Sequence, residues 1–137
     1  SWTFWRGRMR DWQAVSPSTG LNGAWAATSN ATSRGAAWSK PARVSGAADD
    51  AAAPSAAASG DGVLLVGFTD NASNSARASA LLPGVAAWAR ATLGRSWWDG
   101  AVPVAAGGGG GAMAGWAQAG TTNVNAATLV ARPWTAV

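Results

Sequence analysis

Proton transfer or nucleophilic attack in this chain would rest on six aspartates, one lysine and the Ser and Thr hydroxyls, because His, Cys, Tyr and Glu are absent. That set excludes a Ser-His-Asp triad, a Cys-His pair and the usual zinc ligands. Asp49 and Asp50 are the only adjacent carboxylates. On a helix, neighbours point about 100° apart and cannot flank a bond as a glycosidase pair does. Ser39 and Lys40 can be drawn as a dyad, but sequence neighbours seldom face each other. Gly107 to Gly111 is not followed by the Gly-Lys-Ser/Thr of a phosphate loop, and Ser59-Gly-Asp-Gly62 is too short for a calcium loop. Asn30-Ala-Thr32 and Asn71-Ala-Ser73 fit the acceptor pattern for N-glycosylation. The expectation is a binding domain and not an enzyme, with no catalytic residue, no metal and no cofactor.

What remains for binding is tryptophan, ten residues in all. Trp is a large anchor with a single donor, used to grip proline-rich peptides, sugars or bases. Trp88 and Trp116 are expected in the core. Trp2, Trp5 and Trp134, close to the two ends, are expected on a binding surface. Arg6, Arg8 and Arg10 stand beside the first rings, which adds single-stranded nucleic acid and anionic lipid as alternative partners.

The elements that must hold these rings follow from periodicity. In Ser1 to Trp12, a helix would put Trp2, Trp5, Met9 and Trp12 on one stripe with the arginines at its edges. Leu21 to Thr28 reads as a short strand. Pro41 is expected to open a helix through Ala48, and Ala51 to Gly60 reads as loop because of Pro54 and its serines. Val63 to Thr69 is the strongest strand, an apolar run expected to be central and buried on both faces. Pro83 to Gly94 has Pro near its start and Gly at its end, and reads as a second helix. Trp97-Trp98-Asp99-Gly100 is a turn carrying two large rings. Residues 112–118 read as an edge strand and Asn123 to Arg132 as a last helix. No repeat of fixed period is visible.

A chain of 137 residues makes one domain, 1–137, able to bury a real core. Its apolar fraction of 48% comes mostly from Ala, Gly and Trp, with Ile absent. The net charge of +4 favours acidic partners. No apolar run approaches the ~20 residues that cross a bilayer, so no transmembrane segment is expected. The arginines interrupt any signal-peptide core at the start of the chain. The fold expected is α+β: a central antiparallel sheet with N- and C-terminal helices packed on one face. The alternative is an all-β barrel.

Several segments resemble the profilin family. Ser1-Trp2-x-x-Trp5 is similar to its opening Ser-Trp-x-x-Tyr, with Trp in place of Tyr. Asn22-Gly-Ala-Trp-Ala-Ala-Thr-Ser29 is similar to its Asp-Gly-x-x-Trp-Ala-x-Ser strand, one residue short. Lys40-Pro-x-x-Val44-Ser45-Gly46 resembles its Lys-Pro-x-x-Ile-Thr-Gly segment. Gly120-x-x-Asn123-Val124, followed by Leu129, looks like the start of its last helix. These pieces cover about a third of the chain, and no match falls in 70–119. The resemblance implies a cytoplasmic actin-monomer-binding domain that holds proline-rich peptide in an aromatic groove between terminal helices. Trp2, Trp5 and Trp25 match that groove, and Trp134 lies near the expected place. Leu21-x-Gly-x-Trp25, Gly67-Phe-Thr69 and Thr128-Leu-Val130 with Thr135 are also similar to the avidin family. That second resemblance implies a Trp-lined barrel for a small ligand or sugar, without the family's ligand-holding Tyr and late Asp.

Overall fold

The apolar run Val63 to Thr69 lacks alternation because both of its faces are covered. In a computed structural model it forms a strand, Leu64–Asp70, in which every residue is buried. Leu64, Val66 and Phe68 pack with Ala24, Ala26, Val44 and Ala51 on one side. Leu65, on the other, packs with Ala57, Val63, Ala80 and Ala112. A strand between two layers has no solvent face to reserve for polar side chains.

The structure describes residues 2–4, 8–15, 21–29, 38–107, 111–130 and 134–136, with side chains over 21–28, 38–107 and 111–128. Among these residues there are twelve strands and no helix. β1 (Trp2–Phe4), β2 (Arg8–Val15), β3 (Asn22–Ser29) and β4 (Ala42–Arg43) form the first sheet. β5 (Ala51–Ala58), β6 (Leu64–Asp70), β7 (Ser75–Leu81) and β8 (Ala89–Arg95) form the second. β9 (Val104–Ala106), β10 (Gly111–Ala117), β11 (Val124–Val130) and β12 (Trp134–Ala136) form the third. Each sheet is an antiparallel meander in chain order. The second sheet turns one face to the first sheet and the other to the third.

This overturns the α+β expectation. The terminal segment expected as a helix supplies β1 and β2, with Trp2 opposite Arg10 and Trp12 opposite Trp25. Pro83 to Gly94 becomes a loop followed by β8, and Asn123 to Arg132 contains β11. The helix expected after Pro41 is β4 and a turn. Helical spacing of a few apolar residues is a weak signal in an alanine-rich chain, since helix preference differs by under ~1 kcal/mol per residue. Ladder bonds and packing of small side chains between layers outweigh it here. The barrel alternative shares the β class but not the arrangement, because the strands fall into three separate sheets. Ala51 to Ala58 is a strand and not a loop. It is the edge of its sheet, and Pro54 sits where the register with β6 shifts between Ala52 and Ser55. Pro is tolerated at such a place because no ladder bond needs its missing N–H. β10 lies between β9 and β11, so it is interior and not an edge.

One close approach fixes the third sheet against the second. A Cβ on Gly67 would run into the Val102 carbonyl oxygen and lie 2.8 Å from Val104 Cγ1. Ser55 Oγ donates to the same carbonyl at 2.6 Å. The segment entering β9 therefore crosses directly over β6, and only glycine leaves room for it.

Although the sequence shows no fixed period, parts recur from one sheet to the next. β4 leads into buried Ser45 and a tight turn closed by Asp49 N–H to Gly46 O. β8 leads into buried Ser96 and a tight turn closed by Gly100 N–H to Trp97 O. Phe68 pairs with Arg77 across β6–β7, as Trp116 pairs with Asn125 across β10–β11.

Candidate functional site

The turn after β8 carries two indoles into solvent, Trp97 at 51% and Trp98 at 65% exposure. Its backbone is tied down on every side. Asn71 Nδ2 donates to Asp99 Oδ1 at 2.6 Å, and Asp99 N–H donates back to Asn71 Oδ1 at 2.9 Å. Thr69 Oγ1 donates to the Gly100 carbonyl and lies 3.1 Å from Ser96 Oγ. Ser96 N–H reaches the Asn74 carbonyl at 2.9 Å. Asp99 has φ of 52°, a left-handed conformation that Asp and Asn tolerate better than most residues. The turn is thus a mount, and the rings project from it without being part of the core.

Beside the rings lies a cleft of about 620 Å³, lined by Asn74, Arg95, Ser96, Trp97, Trp98 and residues 118–121. A second cleft of about 270 Å³ adjoins it, lined by Leu93, Gly94, Arg95, Trp116, Gln118, Asn125 and Ala126. Arg95 and Gln118 belong to both. The clefts form where β8 meets the β10–β11 hairpin through a single bridge, Ser96 to Gln118. Gln118 Oε1 accepts from Asn125 Nδ2 at 2.7 Å, which leaves its amide nitrogen for the cleft. Trp116 forms the floor at 4% exposure, and its indole N–H has no hydrogen-bond partner. A Cβ on Gly94 would come 2.9 Å from the Trp116 ring, so the strand can lie over that ring only as glycine.

A separate polar network lies on the face of the second sheet turned toward the first. Asp70, 2% exposed, accepts from the Asp50 and Ala72 N–H groups and from Ser73 Oγ. Arg77 Nη2 lies 3.2 Å from it and 3.7 Å from Asp49. Burial pushes the Asp70 carboxyl up, but the Ser73, Asp50 and Ala72 bonds and the Arg77 charge outweigh it. The carboxyl is held below the ordinary aspartate value of 3.8. Asp50 Oδ1 accepts from the backbone and side chain of Asn22. These bonds pin the hairpin, although the buried Arg77 Nε has no hydrogen-bond partner. Among the described residues no His, Cys, Asp or Glu cluster could hold a metal ion. No helix there is long and apolar enough to cross a membrane.

The sequence-expected site residues do not converge as a groove between helices. Trp2 lies in β1 of the first sheet and Trp134 in β12 of the third. Trp5 and Arg6 lie outside the described residues. Arg8 and Arg10 are in β2. Trp25 in β3 is half-buried, on the face opposite Ala24 and Ala26, and its register partners are Trp12 and Arg43. Trp116 is in the core, as expected, and half-buried Trp88 packs against the first core cluster. Of the two glycosylation patterns, Asn30 lies outside the described residues, and the Asn71 amide is engaged with Asp99. The residues missed were Trp97 and Trp98. The available signal was two adjacent large rings in a turn, where neither can alternate into a core.

No protein-family model, curated protein or solved structure matches this chain.

Proposed function

We propose that this chain is a non-catalytic carbohydrate-binding domain whose ligand lies across Trp97 and Trp98. The observation that carries this reading is the pair of indoles, each more than half exposed, on a turn whose backbone is locked by hydrogen bonds. A sugar ring offers an apolar C–H face for an indole to cover and a rim of hydroxyls for polar groups to bind. The cleft supplies both, with rings at its lip and Asn74, Gln118 and Thr121 along its wall. A fixed turn also spares the ligand the entropy of ordering two large side chains on a loose loop.

Rival ligands fit less well. A nucleic-acid backbone calls for several cations along its path, and among the described residues Arg95 is the only basic one lining either cleft. The proline-peptide groove implied by the profilin resemblance needs two terminal helices, and strands occupy those places. Asp49, Asp50, Asp70 and Asp99 are engaged in structural bonds, which supports binding without turnover.

Calorimetric titration against a panel of neutral and acidic oligosaccharides, a proline decapeptide and an oligothymidylate tests the proposal. Sugar binding competed by free monosaccharide, and weakened about tenfold by Trp98→Ala, is the expected result. Binding of the peptide or oligonucleotide with none of the sugars overturns it.

A further inference from the structure

Resting on the carbohydrate reading, we propose that the ligand is an acidic sugar whose anionic group, a carboxylate or sulfate ester, is held by Arg95 at the junction of the two clefts. Among the described arginines the contrast is sharp. Arg43 donates to Ser45 Oγ and the Gly46 carbonyl, Arg77 to Asp70 and Thr92, and Arg90 to the Val44 carbonyl. Each is spent on the fold. Arg95 is exposed, makes no side-chain hydrogen bond or ion pair with a described residue, and lines both clefts.

The groups beside it are donors too. Gln118, the other residue common to both clefts, has its amide oxygen occupied by Asn125 and presents its nitrogen. Asp99, the carboxylate nearest in sequence, is turned to Asn71. Ser96 Oγ is taken up by Thr69. A junction offering a guanidinium fork and an amide N–H₂ is complementary to an oxyanion, and poorly matched to a neutral hydroxyl rim alone.

The preceding unit of the chain offers a contrast, with Arg77 in the place that Asn125 takes beside the clefts. There a strand ending in Arg43 likewise leads to a buried serine, Ser45, and a tight turn, and Arg77, opposite Phe68 in the neighbouring hairpin, holds Asp70. The space there is filled from within by a carboxylate, Asp49, which lies 3.7 Å from Arg77 Nη2 and takes the Gly46 N–H at 2.6 Å. In the following unit the turn carries Trp97, Trp98 and an Asp99 bound elsewhere, so no carboxylate of the turn enters. The clefts stay open where the preceding unit is plugged.

The test compares four ligands on the intact chain: a galacturonate tetrasaccharide, the neutral galactose tetrasaccharide, an O-sulfated galactose tetrasaccharide, and free sulfate. The acidic sugars should bind at least about tenfold tighter than the neutral one, a preference that shrinks as salt is raised. Arg95→Gln should bring the acidic-to-neutral affinity ratio close to one. Whichever of the carboxylated and sulfated sugars binds tighter identifies the anionic group. Free sulfate should compete with the acidic sugars only. Equal affinity for acidic and neutral sugars, with binding still weakened about tenfold by Trp98→Ala, overturns the acidic-ligand inference and leaves the carbohydrate reading standing. A preference that survives Arg95→Gln overturns the role of Arg95. Absence of binding to every sugar overturns both.

Discussion

Replacing Asn71 by Ala removes the two bonds that clamp the aromatic turn, and the outcome follows from their geometry. One bond is charge-assisted, Nδ2 to the Asp99 carboxylate at 2.6 Å. The other is a neutral bond from the Asp99 N–H at 2.9 Å. Bonds of these kinds contribute about 1.5–3 and 0.5–1.5 kcal/mol. Asp99 is exposed, so water takes over part of each role after the change, and the net cost falls at the low end, about 2 kcal/mol. In a domain of this size that lowers Tm by roughly 5–10 °C. The site suffers as well. With the clamp gone, Trp97 and Trp98 must be ordered by the ligand, at about 1 kcal/mol or fivefold in affinity. Asn71→Asp is the sharper variant: it sets two carboxylates within hydrogen-bond distance, so its defect should exceed that of Asn71→Ala at neutral pH and ease in acid. Thermal unfolding followed by near-ultraviolet circular dichroism, with sugar titration on the same samples, measures both effects. A Tm within 1–2 °C of the parent and an unchanged affinity in Asn71→Ala would refute the clamp and with it the pre-formed site.

Gly67→Ala should be among the most damaging changes in the chain, at about 3 kcal/mol by denaturant unfolding, because its Cβ meets the Val102 backbone and not a yielding side chain. Trp98→Ala should leave stability within about 0.5 kcal/mol, since the ring is 65% exposed, while it weakens sugar binding about tenfold. Asp70 carries an acid-sensitive share of stability. Its folded pKa lies below the ordinary 3.8, so that share is complete above 3.8 and is lost as pH falls through the lower folded value. Asp70→Asn should remove this acid step and cost about 2–3 kcal/mol, less than a fully buried pair because Arg77 keeps 27% of its side chain exposed. Urea titrations of both proteins from pH 6 down to pH 2 check the step, and an unchanged acid limb in the variant would refute the assignment.

What the sequence determined by itself was chiefly exclusion and composition. The absence of His, Cys, Tyr and Glu removes most catalytic arrangements whatever the fold. The unbroken apolar run at Val63–Thr69 announced a strand covered on both sides, and the strand at Leu21 to Thr28, observed as Asn22–Ser29, and the turn at Trp97–Gly100 were legible from short-range signals. Tertiary structure decided the rest. In a chain built on Ala, Gly and Ser, local preferences are nearly balanced, so a segment such as Pro83 to Gly94 looks helical until a neighbouring strand offers it a ladder. Pro54 looked like a break because only the register shift shows that no ladder bond needs it. The site depended on the fold even more, because Arg95 and the Trp97–Trp98 pair come from the end of β8 in the second sheet and Gln118 from the β10–β11 hairpin of the third. They meet only because β8 touches the β10–β11 hairpin at one bridge. Whether a tryptophan is core or contact surface is a question of which layer stands over it, and a sequence lists its rings without saying what covers them.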